Sequence, residues 1–251
     1  MFRRSLFVSV LPWIVEAVLI AASVRLGRTL QDDSPEVFLG AAPLVGQDAR
    51  DGWDWRFGWG LVGAGSVASL LAMFVWTGRW SAWSMRTVLV ATSVAAGAFA
   101  VFLALTDGRM GLLRGAAHET EYLVNLDIAP GARAFVRDFV DDIEQYSVHV
   151  RGHPPGFVLV LKLLDSVGLS GAWPVVGLSL AGTMAVPLAV LSAVRVIADD
   201  EWARRVAPLL AVSPFALWMM TSADAVFAAG GAWAVTTCLY ALRSTGRTAI
   251  A

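Results

Sequence analysis

Acidic and histidine side chains are concentrated in one segment of the chain, residues 106–154. This segment holds all three histidines, His118, His149 and His153, together with eight acidic residues. Carboxylates and imidazoles are the commonest general acids and bases in enzymes, and imidazole titrates nearest to neutral pH. If the protein catalyses a reaction, we expect these side chains to move the protons.

Two short motifs stand out within this segment: His118-Glu119-Thr120-Glu121-Tyr122 and Gly152-His153-Pro154-Pro155. The two prolines fix φ and lack an N–H donor, which suits the first turn of a helix. An apolar run follows them at once, so the pattern predicts that His153 lies rigidly at the start of a helix. A capping residue at the membrane interface is the alternative interpretation of His153.

The elements that must position these motifs are apolar helices. Hydrophobic residues make up 57% of the chain and charged residues 16%, and the mean hydropathy is +0.64. Six long apolar blocks cover residues 7–24, 58–76, 87–105, 173–194, 206–221 and 225–242. About 20 apolar residues are needed to cross a bilayer as a helix. The composition therefore argues against a water-soluble enzyme and predicts an all-α, polytopic membrane protein with six to seven transmembrane helices.

The seventh apolar stretch, residues 155–169, is shorter and contains Lys162 and Asp165. It either crosses the membrane or forms a re-entrant helix that does not. The re-entrant form is favoured because it places Arg195, Arg204, Arg205, Arg243 and Arg247 inside, and Asp224 outside near the acidic segment.

Arginines predict the orientation. Arg3 and Arg4 precede the first block, and Arg79 and Arg86 flank the link between the second and third. Because positive residues favour the cytoplasm, we expect a multi-pass protein of the cell membrane with a cytoplasmic N-terminus and residues 106–154 outside. Residues 1–86 would form a leading hairpin with an outer loop, and residues 87–251 a second module. A signal peptide is the alternative for the first block.

Within the outer segment, residues 132–146 carry Phe135, Phe139 and Ile143 at a spacing of four. This period predicts an amphipathic helix, lying outside any span and therefore in the plane of the membrane interface. Packing on a small extracellular domain is the alternative.

The order of these features resembles that of the GT-C class of membrane glycosyltransferases, which includes protein O-mannosyltransferases and the aminoarabinose transferases of lipid A. Those enzymes carry an Asp-Glu pair soon after a span, then juxtamembrane helices and a His-Pro-Pro or Lys-Pro motif. The matching residues are His118 to Tyr122, His153-Pro154-Pro155, Ser213-Pro214 and Ser222-Ala223-Asp224-Ala225, so the resemblance covers roughly residues 87–242. The chain also resembles uncharacterised actinobacterial integral membrane proteins with the same His-Pro-Pro-Gly and Thr-Ser-Ala-Asp-Ala phrases.

The resemblance implies transfer of a sugar from a polyprenyl-phosphate donor to an acceptor on the outer face, with the lipid-linked donor and membrane lipids as partners. The implied catalytic residues are Glu119 as base, with His118 and Glu121 as alternatives. The implied substrate-binding residues are Tyr122, Arg137, Arg151, His153, Pro154 and Asp224. The net charge of −1 does not indicate the strongly basic surface that nucleic-acid binding requires. No metal and no nucleotide is expected, and no cofactor is assigned.

Two departures from the family pattern affect these expectations. His118 stands where the family has its leading Asp, and GT-C enzymes usually have more spans, so we expect a reduced member or a truncated reading frame. Roles outside catalysis and substrate binding remain open for the individual residues. Glu119 and Glu121 would be solvated loop carboxylates. Arg137 and Arg151 would extend their side chains to the membrane interface, and Asp224 would cap a helix. His149 and His153 would together bind a metal. A transporter or an envelope-assembly subunit is the alternative function, although we find no inverted repeat of the kind that transporters show.

Overall fold

The computed structural model describes residues 6–34, 57–129, 131–220 and 223–248, and within these ranges the chain forms helices and turns with no β-strand. The expected all-α fold is confirmed over these ranges. The chain divides into two compact units, Met1–Arg56 and Phe57–Ala251.

The first unit contains one described helix, α1 (Leu6–Asp33), of 28 residues. It includes the first apolar block, and Leu11, Val18 and Leu19 on it are exposed. At 1.5 Å per residue α1 is about 42 Å long, which exceeds the hydrocarbon core of a bilayer. Most of the first acidic loop, residues 35–56, lies outside the described residues, as do Arg3 and Arg4.

The second unit contains the remaining helices. In chain order they are α2 (Trp59–Trp76), α3 (Arg79–Ala82), α4 (Met85–Ala104), α5 (Arg109–Ala117), α6 (Ala132–Asp138), α7 (Val148–Gly152), α8 (Gly156–Ser166), α9 (Ala172–Ile197), α10 (Asp200–Ala211), α11 (Ala216–Met219) and α12 (Asp224–Thr248). Four helices in the described part of the chain are long and apolar enough to cross a membrane: α2, α4 with its extension to Asp107, α9 and α12. They coincide with four of the six predicted blocks, and their number suggests a membrane protein.

The helices α2 and α4 form an antiparallel hairpin closed by α3. The start of α2 lies against the end of α4, because a Cβ on Gly60 would lie 2.2 Å from the carbonyl oxygen of Phe102. Only glycine allows this approach of two backbones. We call the end of the bundle that carries residues 77–84 the link end, and the opposite end, which carries residues 108–171, the loop end.

The helices α9 and α12 run side by side in the same direction. Gly182 lies against the backbone of Ala225. Further along, the Thr236 hydroxyl donates to the carbonyl oxygen of Ala189 at 2.9 Å. Near the ends of both helices, Arg243 donates to the carbonyl oxygen of Val196 at 3.2 Å. Since residue numbers rise together along both helices, the chain between them must return from the link end toward the loop end.

The returning segment is broken rather than a single span. It begins at the link end, where Trp80 Nε1 donates to the carbonyl oxygen of Arg204 at 3.1 Å. It ends at the loop end, where Ala216 and Met219 join the buried cluster around Tyr122. The prediction of one continuous helix over residues 206–221 is therefore wrong. Residues 212–215 interrupt it, and Pro214 supplies no N–H to continue the helical ladder.

The helix α8 is too short to cross a bilayer. Its 11 residues span about 16 Å at 1.5 Å per residue, against about 30 Å for the hydrocarbon core. The length of α8 favours the non-spanning form of residues 155–169, which stays a prediction, and Arg204 lies at the link end with Trp80.

Two buried clusters fill the second unit. The link-end cluster includes Trp80, Val88, Leu191 and Ala207. The loop-end cluster is larger and includes Tyr122, Phe135, Val150 and Phe157. The loop-end cluster holds the turn and the short helices that carry the candidate site.

Candidate active site

The acidic motif folds as a tight turn immediately after α5. Glu121 N donates to the carbonyl oxygen of His118 at 3.0 Å, and His118 Nδ1 lies 2.8 Å from the hydroxyl of Thr120. The turn directs its two carboxylates in opposite directions. Glu119 is exposed, whereas Glu121 is buried with 6% of its surface accessible.

A fully buried asparagine, Asn125, ties this turn to α7. Its Nδ2 donates to the carbonyl oxygen of Glu121 at 2.9 Å and to the Ser147 hydroxyl at 2.8 Å. Its Oδ1 accepts from Ser147 N at 2.8 Å. We call Asn125 and Ser147 the amide clamp. Every hydrogen-bonding atom of the asparagine amide faces this junction, so the clamp fixes the turn against the start of α7.

The same junction brings His149 of α7 to Glu121. Its backbone N donates to the carbonyl oxygen of Thr120 at 3.2 Å, and its Nδ1 lies 2.8 Å from Oε1 of Glu121. By strict hydrogen-bond angles Nδ1 meets no partner among the residues that the structure describes. At 2.8 Å the contact still lowers the pKa of the Glu121 carboxyl, as a hydrogen bond and through charge, and it becomes an ion pair when the imidazole is protonated.

Burial raises the pKa of the Glu121 carboxyl above its usual range, because the charged form loses hydration. The nearby His149 opposes this rise, Asp224 adds to it, and His118 opposes it more weakly. Burial also raises the pKa of Tyr122 to about 12, helped by the charges of Glu121 and Asp224. Tyr122 therefore stays a neutral phenol, and the site gathers groups from the turn, α7 and α12.

Aromatic rings enclose the buried side of this site. Tyr122 meets Phe157 edge to face with ring centroids 4.8 Å apart. His153 stacks nearly parallel to Phe227 of α12, with centroids 5.7 Å apart. Such contacts fix the rings of Tyr122 and His153, the neighbours of Glu121 and His149 at this junction.

His153 occupies the predicted position just before α8, with Pro154 exposed beside it. Its Nδ1 lies 2.8 Å from the carbonyl oxygen of His149. Because a carbonyl only accepts, Nδ1 carries the proton in this contact, which leaves Nε2 for another partner. The two imidazoles are perpendicular with centroids 6.2 Å apart.

The two arginines expected to bind phosphate lie away from this cluster in surface ion pairs. Arg137 contacts Asp138 at 2.6 Å, and Arg151 contacts Glu144 at 3.0 Å. The pairing raises the pKa of Arg137 and lowers that of Asp138. Asp224 is the first residue of α12 and is exposed, and its charge acts on Glu121.

The predicted amphipathic helix over residues 132–146 is shorter in the structure. The regular helix α6 ends at Asp138, and turns with a 3-10 turn, Ile143–Gln145, follow it. Three aspartates in residues 138–142 are poor helix formers. Phe135 is fully buried and contacts Tyr146 with centroids 5.3 Å apart. This part of the apolar face therefore packs against protein. That is closer to the alternative interpretation, in which the helix packs on a small extracellular domain, than to a helix lying in the membrane interface.

The sequence analysis gave no role to Asn125, Ser147 or Phe227, and named His149 only as one of the titratable groups of the segment and as a possible metal ligand. Asn125 is a polar residue between the apolar Val124 and Leu126, and this interruption was the signal available. In the described part of the chain, no three or more His, Cys, Asp or Glu side chains are grouped so as to hold a metal.

Neither a protein-family model, nor a curated protein, nor a solved structure matches the chain. The function is therefore argued from the geometry of this site and from the motif order in the sequence.

Proposed function

We propose that the protein is a membrane glycosyltransferase that moves a sugar from a polyprenyl-phosphate donor to an acceptor at the loop end, with Glu121 as the general base. The observation that carries this proposal is the buried Glu121 carboxylate, 2.8 Å from the imidazole of His149. Buried acids with perturbed pKa values are enriched at active sites. The motif order His118 to Tyr122 followed by His153-Pro154-Pro155 supports the reaction class.

In this reaction the acceptor hydroxyl gives its proton to Glu121 as its oxygen bonds to the anomeric carbon. The bond from that carbon to the phosphate oxygen breaks, and its electron pair leaves with the lipid phosphate. The sequence expectation placed this role on Glu119. Glu121 suits it better, because a base with a raised pKa holds an abstracted proton more strongly.

An apolar groove at the loop end suits the lipid chain of the donor. Its volume is about 530 Å³, and it is open to the surroundings between the end of α8 and the start of α9. Leu164 and Leu178 line it and also pack against the loop-end cluster. Arg109 lies over the ring of Trp173, a lining residue of the groove, 5.4 Å from the centroid, and we assign it to the donor phosphate. Arg137 and Arg151 remain available too, since exposed ion pairs exchange partners at little cost.

We further propose that the link end faces the cytoplasm of the cell membrane. The short links at that end carry Arg79, Arg86, Arg204 and Arg205, whereas the basic residues of the loop end are spread over a long segment. This arrangement agrees with the positive-inside rule. It places Glu121 and Asp224 on the outer side, where lipid-linked sugars without nucleotides serve as donors.

The test uses the full chain in nanodiscs with polyprenyl-phosphate carrying a radiolabelled hexose, pentose or aminopentose, and with water or an added envelope extract as acceptor. We expect wild-type protein to release or transfer label from at least one donor. Glu121→Gln is nearly isosteric and cannot accept the proton, so the rate should fall about 100-fold or more. Asp141→Asn, a change at an exposed residue of the same segment, is the matched control and should keep the wild-type rate.

A non-catalytic envelope-assembly subunit is the second candidate. The backbone and amide hydrogen bonds around Asn125 and Ser147 are satisfied within the protein, as in a structural junction. Absence of transfer from all three donors, with the protein folded, would favour this candidate.

A further inference from the structure

We infer that His149 is a positioning residue that holds the Glu121 carboxylate ionised and oriented, and that the amide clamp sets the distance between them. The inference rests on the proposed function for the role of Glu121. The contact itself can be tested without any sugar substrate.

The imidazole of His149 bridges the buried carboxylate and the solvent. The side chain of Glu121 is 8% exposed and that of His149 is 37% exposed. Glu121 therefore loses most of its hydration, while His149 keeps part of its side chain exposed to water. Without a cation beside it, a carboxylate at this depth favours its neutral form, which cannot act as a base. His149 Nδ1 at 2.8 Å is the nearest group that supplies this charge.

Other charged groups face Glu121 as well. His118 from the same turn acts in the same sense as His149 but more weakly, and Asp224 from α12 acts against it. Tyr122 is neutral, because its pKa is raised to about 12, and His153 is bonded to the backbone of His149 rather than to Glu121. His149 is thus the principal cation that counters both burial and Asp224.

The distance between Glu121 and His149 depends on how the turn is attached to α7. The attachment has three parts: the Asn125 amide between the two segments, the Ser147 hydroxyl donating to the carbonyl oxygen of Glu121 at 2.9 Å, and His149 N donating to Thr120. Two of the three parts use side chains of the amide clamp. Loss of the clamp should let the turn and α7 separate, and the charge of His149 would then act on Glu121 from farther away.

The first experiment measures the titration of the Glu121 carboxyl by infrared difference spectroscopy of the full chain in nanodiscs. The protonated carboxyl band is assigned by its loss in Glu121→Gln. His149→Gln keeps a polar side chain but removes the charge, so we expect the Glu121 titration to move up by about one pH unit or more. Gln145→Ala, at an exposed residue four positions earlier that donates to Asp142, is the matched control and should leave it in place. An unchanged titration in His149→Gln would overturn the inference.

The second experiment tests the amide clamp with Ser147→Ala and Ser147→Thr. The alanine variant loses the hydroxyl that bonds Asn125 and Glu121, whereas the threonine variant keeps it. We expect the Glu121 titration to rise in Ser147→Ala and to return to the wild-type position in Ser147→Thr. A wild-type titration in Ser147→Ala, or an equal rise in both folded variants, would exclude the clamp as the positioning device.

The pH profile of sugar transfer separates this inference from the proposed function. The acid limb of the profile should move to higher pH in His149→Gln, in step with the infrared titration. If the infrared shift occurs and no protein transfers sugar, the pairing of Glu121 with His149 stands and the proposed function fails.

Discussion

Gly182 of α9 lies against Ala225 of α12, so close that a Cβ at position 182 would lie 2.5 Å from the carbonyl oxygen of Ala225. The neighbouring atom is backbone and cannot rotate away. This contact fixes the level at which α12 begins beside α9, and with it the position of Asp224 and Phe227 relative to the turn that carries Glu121.

Gly182→Ala should therefore separate α9 from α12 and destabilise the fold by about 1–3 kcal/mol. The measurement is thermal unfolding of the purified protein in detergent. Gly177→Ala is the control on the same helix, since a Cβ there meets open space. It should be neutral or slightly stabilising, because alanine favours helix over glycine. Equal unfolding temperatures for the two variants would contradict the close contact.

The indole of Trp80 gives a second test of the packing at the link end. Trp80→Phe keeps the ring but removes the Nε1 donor to the carbonyl oxygen of Arg204, so we expect a loss of about 1–2 kcal/mol. Unfolding in a mild denaturant measures it. The same change at Trp76, which is 91% exposed, should have little effect on stability, and a larger loss there than at Trp80 would argue against the interaction.

Accessibility labelling decides which residues share a side of the membrane. In a background with Cys238 replaced by alanine, Ser81→Cys and Ser244→Cys should react with an impermeant maleimide from one side, and Ser170→Cys from the other. All three serines are exposed. The expected sidedness follows from α8, which is too short to cross, and from the broken return segment. Labelling of Ser244→Cys together with Ser170→Cys would require an additional or missing crossing.

The raised pKa of Glu121 predicts a pH-dependent stability. The folded state holds the carboxyl proton more tightly than the unfolded chain does, so this group stabilises the fold below its usual pKa near 4.5. That contribution is lost as the pH rises through the folded pKa. Glu121→Gln lacks the titration, so it should unfold at a temperature near that of the wild type at acid pH and become relatively more stable toward neutral pH. If the unfolding temperature of Glu121→Gln fell relative to that of the wild type as the pH rises, the result would contradict a raised pKa of Glu121.

Much of the helix content could be predicted from the sequence, because uncharged apolar blocks such as residues 87–105 have one stable form in a bilayer. The shortness of the helix in residues 155–169 could also be expected from their limited apolar length and from Lys162. This lysine donates to the carbonyl oxygen of Ala129 at 2.7 Å. The break at residues 212–215 was missed, although Ser213-Pro214 marks it, since apolar content alone does not reveal how a segment is covered by its neighbours.

The candidate site was predicted at the level of its segment and not of its side chains. The sequence pointed to residues 118–122 and to His153, and the resemblance put Glu119 first because it keeps the acid of the family's Asp-Glu pair. Spacing cannot say which of two nearby carboxylates a turn will bury, and the choice between Glu119 and Glu121 as the base stays a prediction. Which carboxylate is buried depends on Asn125 and Ser147, which are 22 positions apart. Contacts between such distant positions leave no periodic pattern in a single sequence.

The parallel course of α9 and α12 sets an order on the biogenesis of the protein. A translocon releases segments into lipid according to their own hydrophobicity, and a strand of chain interrupted at residues 212–215 exposes backbone groups that lipid cannot satisfy. If the return segment lies within the bilayer, we expect it to stay in a protected environment until α4 and α9 are in place to cover it. Only then can α12 take its orientation. A nascent chain arrested just after Ala211 should accordingly remain bound to the insertion machinery, whereas one arrested beyond α12 should be released.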